Sequence, residues 1–322
     1  MPDVLQKGVF LDLETVDNGD LDRARLSSCV AHWDWHEFSQ AQQIAARIRT
    51  ADVVISNKCV LDRAALESAG NLKLLALAAT GTNNVDLEAA SELGITVCNI
   101  RDYASNSVAQ HAITLMLNLL TAQPWYWQSV RHGAWSSSRQ FCLNDRPIRE
   151  FRGLVFGVIG YGALGRATAE LADAMGMKVL IAERKGRAVR GGRVSFDELV
   201  QKTDVLSIHC PLTQETLALI DREVMQSMKP GVLLINTARG GIINEEHLAE
   251  ALREGIIGGA GVDTLGVEPP PRDHPLLAPD IPNLIVTPHN AWASRTARQA
   301  AVDQLVELIQ AFAAGAPLNQ VN

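Results

Sequence analysis

The 322-residue chain predicts an α/β protein with two parallel sheets, on three observations. Short apolar runs alternate with helix-length stretches almost throughout, the rhythm of βα units joined in parallel. A long helical stretch and an irregular segment interrupt that rhythm once, near the middle. A second, longer βα series follows, so the chain divides into two domains, in line with a prior of about 150 residues per domain.

The first series offers strands at Val9-Phe-Leu-Asp-Leu13, Val53-Val-Ile55, Leu72–Ala78 and Ile95–Cys98, with helix-like segments at Gln40–Thr50 and Val85–Leu93. From Ser105 the apolar positions Val108, Ala112, Leu115 and Leu119 recur at spacings of three and four, which predicts one long helix. The stretch Trp125–Arg152, with Trp125, Trp127 and Trp135, reads as irregular. It exceeds the roughly 4–6 residues of a routine connection, so it is either an oligomer contact or an excursion packed on its own subunit. The second series has strands at Leu154–Ile159, Lys178–Ala182, Asp204–His209, Val232–Asn236, Gly259–Asp263 and Leu284–Thr287. Such near-continuous apolar strands suit a doubly wound sheet covered on both faces. The closing helix, Ser294–Ala314, is expected to pack back on the first domain.

Composition narrows the function classes. Hydrophobic residues make up 47% and charged residues 20%, enough apolar material for large cores. With 29 Lys and Arg against 36 Asp and Glu, the net charge of −7 repels a nucleic-acid backbone. No apolar run approaches the ~18 residues of a membrane span, and the opening Met1-Pro2-Asp3-Val4-Leu5 lacks the regions of a secretory signal. Five scattered cysteines, Cys29, Cys59, Cys98, Cys142 and Cys210, with no C-x-x-C pair, suit reduced core thiols rather than disulfides or zinc. The chain is therefore expected to be cytoplasmic, without membrane, nucleic-acid or metal partners.

Gly160-Tyr-Gly162-Ala-Leu-Gly165 matches G-x-G-x-x-G between an apolar strand and an Ala-rich helix, Ala163–Met175. In that context the first glycine permits a tight turn, the second lets a pyrophosphate approach the backbone, and the third packs helix on strand. The next strand ends at Glu183, 23 residues after Gly160. That is near the ~20-residue spacing of the acid that accepts from a ribose hydroxyl. The motif alone also admits an S-adenosylmethionine or flavin site, or a ligand-free turn.

Three ionisable residues follow strands of the second series: Arg239, Glu268 and His289. A planar guanidinium grips a carboxylate bidentately. An imidazole titrates in the range of a physiological proton donor, and a neighbouring carboxylate favours and orients the imidazolium. Together they suit reduction of a small 2-keto acid and speak against the S-adenosylmethionine and flavin options. Singly, Arg239 could be a surface cation, Glu268 a loop charge and His289 a loop histidine.

At these residues the chain resembles the D-2-hydroxyacid dehydrogenase family over essentially its whole length. The resemblance is carried by Ala79-Thr-Gly-Thr-Asn-Asn-Val-Asp86, Asn106-Ser-Val-Ala-Gln-His111, the glycine loop, His209-Cys-Pro-Leu212, Asn236-Thr-Ala-Arg-Gly240, Gly261-Val-Asp263 with Glu268-Pro269, and Thr287-Pro-His289. Ala79–Asp86 and His289-Asn-Ala-Trp-Ala-Ser294 are most similar to the glycerate dehydrogenase, or hydroxypyruvate reductase, branch. The resemblance implies a flavodoxin-like substrate-binding domain, residues 1–102 with 291–322, hinged to a Rossmann-type NAD-binding domain, residues 103–290. It implies reversible reduction of hydroxypyruvate, and of glyoxylate, by a homodimer in which Arg239 binds the substrate carboxylate, Glu268 supports His289, and His289 is the proton donor. Thr80, Gly81 and Trp292 would line the substrate. Gly160, Gly162, Ala163, Leu164, Gly165, Glu183, Arg184, Cys210, Thr237, Ala238, Asp263 and His289 would line the cofactor, with Asp263 at the nicotinamide amide. His111 is expected to be structural.

NAD(H) is the expected cofactor because Glu183 would repel a 2′-phosphate. NADP(H) stays possible, since Arg184, Lys185, Arg187, Arg190 and Arg193 follow with no acid among residues 184–193. Arg184 or Lys185 could then cradle the phosphate if Glu183 swings into solvent. Two other functions stay open: a relative acting on D-lactate or 3-phosphoglycerate, and a dinucleotide-sensing corepressor-like protein.

Overall fold

The structure, a computed structural model, describes residues 5–322. Most of the opening stretch read for a secretory signal thus lies outside the described residues. The chain forms two compact units, one of the residues up to Ala104 with Ala293–Asn322, the other Ser105–Trp292.

In the first unit, β1 (Lys7–Phe10), β2 (His32–Trp35), β3 (Val53–Ser56), β4 (Leu74–Leu77) and β5 (Thr96–Asn99) form a parallel sheet in the order β2-β1-β3-β4-β5. That is the flavodoxin-like order, with a switch point between β1 and β3. β3 shows how a continuous apolar run serves two cores. Val53 and Ile55 pack with the closing helix (Arg295–Ala313), through Ala301, Val302, Leu305 and Val306, while Val54 joins Ile44, Ile48 and Leu66 on the other face. Successive side chains of a strand point to opposite faces, so both faces must be apolar when helices cover both.

β2 was not anticipated. His-Trp-Asp-Trp alternates exposed and half-buried residues at the sheet edge and pairs only with β1. Trp33 and Trp35 stack at 4.9 Å, and Gly8 leaves room for the Trp33 ring, which a Cβ would meet at 2.6 Å. An edge strand with polar alternate residues carries little hydrophobic signal.

In the second unit, β6 (Val155–Ile159), β7 (Lys178–Ile181), β8 (Val205–Ile208), β9 (Leu233–Asn236), β10 (Gly259–Val262) and β11 (Leu284–Val286) form a parallel sheet in the order β11-β10-β9-β8-β6-β7. Leu233 and Ile235 face the long helix (Ser105–Leu120), and Leu234 faces the other core. Val108, Ala112, Leu115 and Leu119 are all buried, as their spacing predicts. The switch point lies between β6 and β8, so the crevice opens where Gly160 follows β6 and His209 follows β8.

The segment 125–152 is not irregular throughout. Gln123–Arg131 is a helix begun by Pro124, which fits a first helical turn because its missing N–H has no partner to lose there. Trp127, Trp135, Phe141 and Ile148 are exposed along the segment, Phe141 at 92%. No helix among the described residues is long and apolar enough to cross a membrane.

Candidate active site

The glycine loop is built as its sequence requires. Gly160 has φ +88°, and a Cβ there would lie 2.5 Å from the Cys210 amide nitrogen. A Cβ on Gly165 would sit 2.0 Å from the Gly160 carbonyl oxygen. Gly162 is different: nothing lies within 4 Å of where its Cβ would be. The helix it opens (Ala163–Ala174) has no capping side chain, whereas Ser195, Asp221 and Asn244 cap the helices that follow in this unit. Four N–H groups at a helix start lack internal partners and carry positive potential. An open cradle with uncapped amides fits a dinucleotide pyrophosphate. Ala163 and Leu164 are half-buried on the first turn.

Further along this edge, the hydroxyls of Thr237 and Thr264 and Nδ1 of His209 are buried without a hydrogen-bond partner in the structure. His209 Nε2 pairs with Ser207 Oγ at 2.8 Å, and burial pushes its pKa down to about 4. Ala238 is buried, its amide donating to Asn236 Oδ1. Burial pushes the Cys210 thiol up to about 11, Cys98 to about 11 and Cys59 to about 12, the behaviour of core thiols rather than nucleophiles.

The three ionisable residues stand on loops at the same edge. His289 Nδ1 lies 2.6 Å from Glu268 Oε2, while Glu268 Oε1 accepts from the Leu265 amide at 2.9 Å. Both side chains remain partly accessible. Arg239 is exposed and donates from Nη1 to the Ala238 carbonyl at 2.7 Å. The following Gly240 explains how its turn meets the Glu268 loop, since a Cβ there would fall 1.9 Å from the Leu265 carbonyl carbon. The Gly240–Gly241 doublet is the sequence signal for this close backbone approach.

His289 adopts a left-handed backbone, φ +50°, which costs a non-glycine residue about 1–2 kcal/mol. Its surroundings hold it there. The His289 amide donates to the Asp263 carbonyl at 2.8 Å, and the His289 carbonyl accepts from Trp292 Nε1 at 3.0 Å. Trp292 thereby braces the histidine's own backbone.

Asp263 is buried beside the loop that carries His289. Its side chain is 1% exposed. The carboxylate accepts from Thr287 Oγ1 at 2.6 Å, the Asn290 amide at 3.1 Å and the Ala291 amide at 3.0 Å. A buried carboxylate needs such donors, and the loop carrying His289 supplies them. His111 reaches the same cluster, with Nε2 3.0 Å from Thr287 Oγ1 and 3.5 Å from Asp263 Oδ1.

Glu183 has its own set of partners. It is buried at the end of β7, and its three partners come from the basic loop. Arg190 grips it bidentately, Nε to Oε2 at 2.5 Å and Nη2 to Oε1 at 2.8 Å, while Arg193 lies 3.8 Å away and the Arg184 amide donates at 3.0 Å. The Arg190 guanidinium holds the carboxyl well below the usual range, at about 2. Of the two cations expected to cradle a phosphate, Arg184 is exposed and Lys185 lies over the Phe196 ring.

Thr80 and Gly81 follow β4 in the first unit. Thr80 is exposed and donates to the Ile100 carbonyl at 2.9 Å. Among the described residues no group of three or more His, Cys, Asp or Glu could hold a metal ion.

Residues 113–291 match the family model described as D-isomer specific 2-hydroxyacid dehydrogenase, NAD binding domain. A glycerate dehydrogenase of Methylorubrum extorquens is 44% identical over 308 residues, covering 94% of this chain and 97% of its own length. A hydroxypyruvate reductase of Blautia hydrogenotrophica is 37% identical over 323 residues, covering 98% and 99%. Among solved structures, an NADPH-dependent glyoxylate/hydroxypyruvate reductase of Sinorhizobium meliloti superposes with a TM-score of 0.82 at 27% identity, covering 98% of this chain and 97% of its own.

Proposed function

This chain belongs to the D-isomer-specific 2-hydroxyacid dehydrogenase family, and from that premise we propose that it reduces hydroxypyruvate to D-glycerate, and glyoxylate to glycolate, reversibly. The observation that carries this reading is the His289–Glu268 pair, 2.6 Å apart, on the sheet edge that also presents Arg239 and the open glycine cradle. The names of the relatives above support the choice of substrate.

Gly160, Gly162, Ala163, Leu164 and Gly165 would hold a nicotinamide dinucleotide by its pyrophosphate, with Cys210, Thr237 and Ala238 along its remaining length. When bound, that cofactor supplies hydride to the keto carbon. Arg239 holds the substrate carboxylate and turns the carbonyl toward His289. With Nδ1 engaged by Glu268, His289 keeps Nε2 to deliver a proton to the carbonyl oxygen as it gains charge. The carboxylate of Glu268 favours the protonated ring and fixes its plane. Ketone, hydride and proton together make the hydroxy acid, and the reverse reaction returns the proton to His289. Asp263 acts one layer behind, holding the loop in place. Thr80, Gly81 and Trp292 are proposed to bound the substrate.

NAD(H) is the proposed preferred cofactor, with NADP(H) accepted. The exposed aromatic and aliphatic side chains of the segment 125–152 support a homodimer, because aromatic residues are enriched at such contacts. The proposed location is the cytoplasm.

The test is a panel of hydroxypyruvate, glyoxylate, pyruvate and phosphohydroxypyruvate, following loss of the reduced nicotinamide absorbance with each cofactor. The highest kcat/KM is expected for hydroxypyruvate. A clear preference for the phosphorylated acid or for pyruvate would move the chain to another branch, and no turnover at all would favour a sensor.

A further inference from the structure

The loop after β7 is tethered rather than free. The Glu183 amide donates to the Val194 carbonyl at 2.8 Å, and the Val194 amide to the Ile181 carbonyl at 2.9 Å, so residues 184–193 leave and return at one point. Gly186 and Gly192 bend it with φ of +75° and +76°. This closure carries Arg190 across to Glu183. The two partners differ in exposure: the Glu183 side chain is 3% exposed and the Arg190 side chain 65%. Both carboxylate oxygens are thus engaged by donors of the loop, and the more exposed member of the pair is the guanidinium.

We propose that Arg190 is a specificity-determining residue that exchanges between the Glu183 carboxylate and the 2′-phosphate of a dinucleotide's adenosine. The proposal rests on the reading that a dinucleotide occupies the glycine loop, and it deepens it by locating cofactor selectivity in one ion pair. An acid at this position discriminates against a 2′-phosphate by repulsion and by accepting from the 2′-hydroxyl. Here a cation sits directly on the acid, and Arg193 lies 3.8 Å from it. The local repulsion is cancelled, while the outer guanidinium edge matches phosphate geometry. NADH needs Glu183, NADPH needs Arg190, and the pair lets either need be met. Lys185 is held over Phe196.

The test is cofactor binding by calorimetry, without substrate, so that it stands apart from the identity of the keto acid. Wild type, Arg190→Ala, Arg190→Lys and Glu183→Gln are each titrated with NADH, NADPH, ADP and adenosine 2′,5′-bisphosphate. Arg190→Ala should weaken NADPH and the bisphosphate by about tenfold, the value of one charged hydrogen bond at an accessible site, and leave NADH and ADP within about twofold. Arg190→Lys should restore part of the loss. Glu183→Gln should weaken NADH and tighten NADPH. Equal weakening of both cofactors by Arg190→Ala would show a loop merely held in shape and overturn the proposal, as would an unchanged ratio. No binding of any nucleotide would instead sink the dinucleotide reading itself.

Discussion

Each unit of this protein has a parallel sheet with a switch point, and the two crevices are filled in opposite ways. In the first unit Asp12, just after β1, is buried, and its carboxylate accepts from the amides of Asn57 at 3.0 Å, Lys58 at 2.6 Å and Cys59 at 3.0 Å beyond β3. The chain's own anion occupies the place where an open α/β sheet receives a ligand. In the second unit the corresponding place holds Gly162, with nothing within 4 Å of a would-be Cβ and an uncapped helix behind it. Parallel topology creates both crevices. In the first the chain supplies a side chain that satisfies the amides, and in the second it supplies none.

The largest expected effect tests whether the second crevice is the reacting one. His289→Ala should lower kcat by about 10²–10⁴-fold, the range of a positioned general acid. Near-native turnover in steady-state assays would mean that another group gives the proton.

Gly162→Val fills the cradle directly. Its φ of −82° suits valine and no neighbour stands in the way, so the melting temperature should hold. Dinucleotide Kd should rise on the order of a hundredfold, the equivalent of one or two charged hydrogen bonds. Unaltered affinity by calorimetry would place the pyrophosphate elsewhere.

Asp12→Ala empties the first crevice. Losing the acceptor of three amides should destabilise the protein by about 1–3 kcal/mol in urea unfolding, with dinucleotide Kd unmoved. A large change in cofactor affinity would break the contrast between the two crevices.

The smallest effect is a slope. His209 is buried beside the glycine loop with its pKa lowered from 6.5 to about 4. The unfolded chain therefore binds a proton that the folded chain refuses in that window. Stability contributed by the neutral ring is present above about pH 6.5 and is lost as pH falls toward 4. Urea midpoints of the cofactor-free protein should decline over this range, and His209→Gln should decline less steeply. Parallel curves would show that the ring is not held neutral by its site.

Much of this was legible in residue order alone. Apolar runs of two-sided strands, the glycine spacing and the placement of Arg239, Glu268 and His289 after strands are local facts. Local facts follow from backbone geometry, because a strand end, a tight turn and a helix start each require particular residues over a few positions. The edge strand β2 escaped notice because half of its residues face away from a core.

Charge partnerships were decided by tertiary structure. Glu183 as a strand-end acid was evident, but its neutralisation by Arg190 depends on the return of the loop at Val194. Asp12 meets amides 45–47 residues away, and Asp263 meets amides 27 and 28 residues away. A carboxylate has the same sequence signature whether it faces a ligand or plugs a crevice. Only the fold brings donors from distant segments within hydrogen-bond reach, and burial then makes those donors obligatory. Sequence determined which chemistry this protein carries and on which loops it stands. The tertiary structure decided which of its charges are spent inside the protein and which are left for a ligand.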